Sequence, residues 1–196
     1  MSGYFKPHKL LNRSAHDKPS QTKTARMRQF AHHQKLHLRA PMNKALRIEL
    51  SSATWQECCT ECSSVRRRVF IEEQNVPESD EWDGKDKHAI HVLVRNRDNN
   101  ELLGCARVLH ISDSALTWHS QAKITRMAIL KPYRGQGLGR QLLSFANEHT
   151  RQLGVTRVLL DAQIQALAFY QKAGFEIQGE RFMDAGIEHI KMTKTL

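Results

Sequence analysis

Hydrophobic positions become periodic only after residue 44. Leu46, Ile48 and Leu50 alternate with polar residues, the period of a strand with one buried face. Ser51 or Ser52 then stands where a helix N-cap is wanted, and Trp55, Cys58, Cys59, Cys62, Val65 and Val69 recur at helical spacing. Residues 75–88 read as an acidic loop containing Pro77 and Gly84. Two strands, about 89–95 and 101–110, flank the polar tetrapeptide Arg97, Asp98, Asn99, Asn100, which predicts a hairpin. A loop over 112–121 leads to a fourth strand, 122–130. The next helix runs from about Gly137 to Leu153, with Leu138, Leu142, Phe145, Ala146, His149 and Leu153 on its inner face and Gly154 as its stop. Val158, Leu159 and Leu160 form a short apolar strand of the kind buried on both faces. A short helix, 165–173, ends at Gly174, and two last strands, 175–182 and 187–193, meet at Asp184, Ala185 and Gly186.

The order βαβββαβαββ predicts an α/β (α+β) domain whose sheet is mixed in direction and carries helices on both faces. Residues 1–44 stand apart. They hold few large apolar residues, five histidines and no clear periodicity, and are read as a mobile extension, because so little apolar surface cannot offset ordering entropy. An organelle transit peptide, a nucleic-acid or lipid arm, a histidine metal site and a true start at Met42 are sharper alternatives for this stretch. The domain is residues 45–196.

Charge follows the same division. Ten Lys and Arg against Asp17 alone place +9 of the chain's +10 in residues 1–44, leaving +1 for the rest. The high pI therefore says little about the face of the domain, and a nucleic-acid partner is not expected from it. No apolar run approaches the roughly 20 residues of a membrane span, and no apolar core marks a signal peptide in residues 1–15. Of the four cysteines, Cys58, Cys59 and Cys62 crowd into five positions on the apolar stripe of the first helix. Cys59 and Cys62 form a lone C-x-x-C with no second pair, so core thiols, no metal and a reducing cytoplasm are expected.

The chemistry concentrates in residues 124–140. A strand there turns into a helix start containing Gly135, Gly137 and Gly139. Glycines let backbone N–H groups come close to a ligand. The free N–H groups and macrodipole of the helix's first turn make an anion site suited to a pyrophosphate. Arg134 and Arg140 flank it and can add charge-assisted hydrogen bonds. Walker-type phosphate loops are excluded, since Leu138 follows Gly137 where Lys is required. A dinucleotide fold is excluded because the glycines follow a fourth strand and no βαβ repeat comes after them.

Arg134-x-x-Gly137-x-Gly139 resembles the [RQ]-x-x-G-x-[GA] signature of the GNAT superfamily of N-acetyltransferases. Ala166-x-x-Phe169-Tyr170-x-Lys172-x-Gly174-Phe175 is similar to a second segment of that superfamily, with an intervening strand as its fold requires. Val69-Phe70-x-x-Glu73-Gln74-x-x-Pro77, the Asp80–Asp86 acids and Gly186-Ile187-x-His189 resemble a small bacterial subgroup. The resemblance covers residues 45–193. It implies a mostly antiparallel sheet of six or seven strands and transfer of an acetyl group from acetyl-CoA, as cosubstrate, to an amine acceptor. It further implies that the backbone of Met127, Ala128 and Ile129 binds the pantetheine arm. The backbone of Arg134, Gly135, Gln136, Gly137, Leu138, Gly139 and Arg140 would hold the pyrophosphate.

On the same resemblance Tyr170 protonates the departing CoA thiolate, a match between a phenol near pKa ~10 and a thiol near ~8.5–10. Core packing beside Phe169 is its plainer role. Gln163 stands where many members carry an Asn that contacts CoA. The fourth strand has no carboxylate to serve as general base. Glu73, expected to face the acceptor cleft, is the leading candidate, with Glu72, His91, Asp161, His189 and bulk water as others. A non-catalytic acyl-CoA sensor, or a surface or nucleic-acid binder acting through the basic arm, are the rival functions. Association into a homodimer is left open.

Overall fold

The computed structural model describes residues 45–111 and 121–196. The 1–44 extension and the body of the loop before the fourth strand lie outside the described residues. The seven strands are β1 (Ile48–Ala53), β2 (Ile90–Asn96), β3 (Leu102–Ile111), β4 (Gln121–Ile129), β5 (Arg157–Gln163), β6 (Glu176–Asp184) and β7 (Ile187–Thr195). They form one sheet in the order β1-β2-β3-β4-β5-β7-β6. Every pairing is antiparallel except β4 with β5. The helices are α1 (Trp55–Arg66), continued by a π-helical segment Arg67–Glu73, then α2 (Glu78–Glu81), α3 (Leu138–Gln152) and α4 (Leu167–Lys172).

Period-two patterning divides the core between the two faces of the sheet. Val92 and Val94 point to one face and pack with Leu138, Leu142, Leu143 and Ala146 of α3. Leu93, between them, points to the other face and packs with Cys58, Cys62 and Val65 of α1. Leu142 and Cys62 are both wholly buried, so each helix seals its own face. Truncating a buried Leu such as this to Ala typically costs about 2–5 kcal/mol.

Three local expectations are corrected. The first strand runs to Ala53, because its backbone pairs with β2 from Ile48↔Asn96 to Ala53↔His91. Ser51 and Ser52 are therefore strand residues. The helix is capped at Thr54, whose N–H donates to the Glu57 carboxylate at 2.7 Å, half of a capping box. On α3 the buried stripe is rotated toward Leu143, Asn147 and Thr150, while Leu153 is 57% exposed beyond the last helical turn. The hairpin at residues 97–100 forms between β2 and β3, with Asn100 at φ 59°. Gly104 on β3 permits a close approach that no side chain could share, since a β-carbon there would lie 2.4 Å from Ile129 Cδ1 and 2.5 Å from the Ala128 carbonyl oxygen.

Candidate active site

The site begins where β4 leaves its neighbour. β4 and β5 pair only over Gln121↔Arg157, Ala122↔Val158 and Lys123↔Leu159. From Ile124 onward the edge of β4 facing β5 carries no ladder, so its backbone groups are open to an extended ligand, as a sheet edge accepts an added strand. On its other side β4 carries a bulge. Cys105 faces Ala128 and Arg107 faces Thr125, so one residue of β3 opposes two of β4, Arg126 and Met127. Arg126 takes φ 52°, in the left-handed region.

Beyond Ile129 the chain makes a short turn, Lys131–Tyr133, and enters the glycine loop. Gly135 and Gly137 adopt φ 76° and 81°, which glycine takes without a β-carbon penalty. Gly137 is the N-cap of α3, so the first-turn N–H groups open at the same end of the sheet as the freed β4 edge. The Arg134 side chain turns to Glu73 and to the end of β4. Its Nη1 and Nη2 donate to the two carboxylate oxygens of Glu73 at 2.5 and 2.9 Å, and its Nε donates to the Ile129 carbonyl at 2.8 Å.

A cavity of about 420 Å³ lies beside the bulge, lined among others by Phe70, Gln74, Met127, Gln163, Tyr170 and His189. Tyr170 packs edge-to-face on Phe169 and Phe175, with ring centres 4.9 and 6.0 Å away. Its hydroxyl lies 3.7 Å from Met127 Sδ. Burial pushes the phenol up to about 12, so it stays protonated across the neutral range. Gln163 Nε2 donates to Gln74 Oε1 at 2.9 Å, joining the end of β5 to the end of the π segment. His189 Nδ1 lies 2.8 Å from the Ile187 carbonyl, which can only accept, so Nδ1 bears the proton and Nε2 of the neutral ring keeps a lone pair.

The expected base candidates are thus separated. Asp161 and His189 line the cavity, while Glu72 and Glu73 are not among its lining residues. Hydrogen bonds from Arg134 hold the Glu73 carboxyl below the usual carboxylate range, which weakens it as a base. His91 is 1% exposed, faces the Asp86 carbonyl at 3.1 Å, and is not among the cavity-lining residues either. Asp161 Oδ2 meets Lys123 Nζ at 2.5 Å.

The sequence reading missed a largely buried charge network, four of whose members, Glu81, Asp83, Arg107 and Arg126, line one side of the cavity. Arg66, Arg107 and Arg126 meet Glu81, Asp83 and Asp86 of the acidic loop, three charges of each sign. The acids were visible as a run; the arginines were not, because they are spread over α1, β3 and β4. Arg66 is sandwiched between Trp55 and Trp82, with its guanidinium 5.6 and 4.9 Å from their ring centres. Burial pushes the Asp83 carboxyl up, but hydrogen bonds from Arg107 and the Lys85 N–H override it and hold it far below the usual range.

Cys58, Cys62 and His91 bring their possible ligand atoms within 4.8 Å of one another. Cys58 Sγ lies 3.2 Å from the Thr54 carbonyl and His91 Nε2 is already engaged by Asp86. The neighbouring Cys62 and burial push the Cys58 thiol up. Cys58 and Cys62 are packed in the core beneath α1, and none of the four cysteines forms a disulfide.

A diverging parallel strand pair, a glycine-started helix at its open end and a cavity bearing a half-buried phenol make up the architecture of an acyl-CoA-dependent acyltransferase. The chain belongs to the GNAT acetyltransferase family, whose domain model, Acetyltransferase (GNAT) domain, matches residues 58–196. It is 40% identical over 139 residues to YyaT of Bacillus subtilis, covering 69% of this chain and 88% of that one. Among solved structures it is similar to Escherichia coli ElaA, at 30% identity and TM-score 0.64, over 76% of this chain and 99% of the other. An acyl-CoA N-acyltransferase from Pseudomonas aeruginosa matches at 28% identity and TM-score 0.65, over 76% and 99%. Among the described residues no helix is long and apolar enough to cross a membrane.

Proposed function

We propose that the protein is an N-acetyltransferase that moves the acetyl group of acetyl-CoA to an amine by direct attack. The observation that carries this reading is the unpaired edge of β4 from Ile124 to Ile129, lying between the α3 N-terminus and Tyr170. An extended pantetheine arm fits that edge, with its pyrophosphate on the backbone N–H groups of residues 134–140 and its thioester beside Met127. Arg140 adds charge there, while Arg134, tied to Glu73, contributes chiefly through its backbone. Gln163 lies at the end of β5, where its amide can turn from Gln74 to CoA.

The incoming amine adds to the thioester carbonyl, and the backbone of β4 stabilises the oxyanion. As the C–S bond breaks, Tyr170 gives its proton to the sulfur. The enclosed surroundings that raise the phenol also disfavour a bare thiolate, so donor and leaving group shift in the same direction. His189 Nε2 is the cavity atom best prepared to take the ammonium proton, and Glu73 serves as the partner that orients Arg134. The phenol set inside the cavity favours an enzyme over a sensor. Four free thiols suit a reducing compartment, in keeping with a cytoplasmic enzyme. A screen of amine acceptors with acetyl-CoA, read by release of free thiol, tests the reading. Acceptor-dependent thiol release supports it; failure to bind acetyl-CoA at all removes it.

A further inference from the structure

Arg126 occupies a backbone conformation that glycine takes freely and a residue with a β-carbon resists. Its side chain is held from outside the strand. Nε meets Glu81 Oε2 at 2.7 Å, and Nη2 donates to the carbonyls of Asp80 and Glu81 at 2.6 and 3.0 Å. Asp83 Oδ2 lies 3.6 Å away. All these partners belong to the acidic loop, and that loop is anchored in turn. Glu81 is 1% exposed and accepts from Arg66 Nε at 2.5 Å. Asp83 accepts from both terminal nitrogens of Arg107 at 2.7 Å, and Asp86 bridges Arg66 and Arg107 at 2.6 and 3.1 Å. Arg107 Nε then donates to Thr125 Oγ1 at 2.9 Å, on the residue before Arg126. β4 is gripped at two successive positions, Thr125 at the edge of the bulge through Arg107 and Arg126 within it through Glu81.

We propose that this grip is the positioning device of the active site: the acidic loop, through Glu81 and Asp83, holds the β4 bulge so that the backbone of Met127–Ile129 faces the thioester. Glu81 and Arg126 are positioning residues. Both line the cavity, but they act through the strand, since Arg126 spends its donors on Glu81 and the Asp80 and Glu81 carbonyls. The proposal rests on the acyl-transfer reading above, because it assigns the bulge to the thioester. It also explains why an arginine stands where glycine would be easier: the bulge geometry then depends on the loop being in place.

Comparison of Arg126→Ala with Arg126→Gly tests it. Both remove the guanidinium, but only glycine adopts φ near 52° freely. The readouts are acetyl-CoA turnover by free-thiol release, the Kd for CoA by calorimetry, and deuterium exchange over residues 121–130. Arg126→Ala is expected to lower kcat about 10- to 100-fold, the scale of a small misplacement of reacting groups. Its Kd for CoA, which lacks the acyl carbonyl, stays within about twofold, and exchange at the bulge speeds up. Arg126→Gly is expected to return to within about threefold of wild type, with exchange restored. Equal loss in both variants would show that the guanidinium acts itself, and wild-type behaviour in both would show that the bulge needs no grip; either overturns the proposal. If wild type neither binds CoA nor releases thiol, the acyl-transfer reading fails. The exchange comparison then still decides whether the loop holds the bulge.

Discussion

Arg134 and Glu73, 61 positions apart, meet as a two-bond pair in which each carboxylate oxygen takes one guanidinium nitrogen. One was expected to bind phosphate and the other to accept a proton. In this structure the two side chains hold each other, which ties the π segment to the glycine loop. The same guanidinium also caps the Ile129 carbonyl at the end of β4.

Glu73→Gln is accordingly expected to keep kcat within about threefold, with the acid limb of the pH profile of kcat/KM unmoved, because a base must titrate in that profile. The exposed pair contributes little to stability. A steady-state pH series checks this. A lost acid limb together with a fall of 100-fold or more would restore Glu73 as the base.

Binding at the glycine loop is tested by Gly137→Asp. No heavy atom lies within 4 Å of a β-carbon placed at Gly137, so the side chain has room, although φ 81° strains it by about 1–2 kcal/mol. The domain should fold, while the added carboxylate opposes the pyrophosphate and removes measurable acetyl-CoA binding by calorimetry. Gly137→Ala, strained alike but uncharged, should retain much of it. Unchanged affinity in the Asp variant would place the pyrophosphate elsewhere.

Tyr170→Phe deletes one hydroxyl from an edge-to-face aromatic cluster, so packing should survive. A positioned acid contributes about 10²–10⁴-fold, and kcat is expected to fall by that order with little change in Kd for acetyl-CoA. Turnover with the identified acceptor, or slow hydrolysis until then, supplies the rate. Wild-type turnover with chemistry rate-limiting would leave Tyr170 as a packing residue. Collapse of binding would make its hydroxyl a CoA contact.

His91 supplies a pH dependence of stability. Burial lowers its pKa below the ordinary 6.5, outweighing the Asp86 contacts that favour the charged ring. The unfolded chain therefore binds a proton at higher pH than the folded one, and stability rises with pH across the gap. The stabilisation is complete above about pH 6.5 and is lost as pH falls toward the folded value. The melting temperature should drop between pH 7 and pH 5, and His91→Asn should flatten that part of the curve. A His91→Asn curve parallel to wild type would assign the dependence to other groups.

What the sequence determined by itself was local or periodic. The 97–100 hairpin, the glycine-started helix, the β5 apolar run and the alternation of Leu46, Ile48 and Leu50 each follow from neighbours within a few positions, where sterics and burial leave few choices. The two motifs around Gly137 and Tyr170 told of the family because they are short, contiguous segments. Thr54 could have been read as the cap, since Glu57 stands three residues on, but backbone pairing with β2 was needed to carry the strand past Ser51 and Ser52. Only the tertiary structure decided which charges meet. Arg126 and Glu81 are 45 positions apart, Arg134 and Glu73 are 61, and Gln163 and Gln74 are 89. Nothing in local spacing distinguishes an arginine that will bind phosphate from one that will hold a carboxylate. Charge pairing acts through space over a few ångströms, and the fold sets those distances only after the backbone ladder and the two cores have formed.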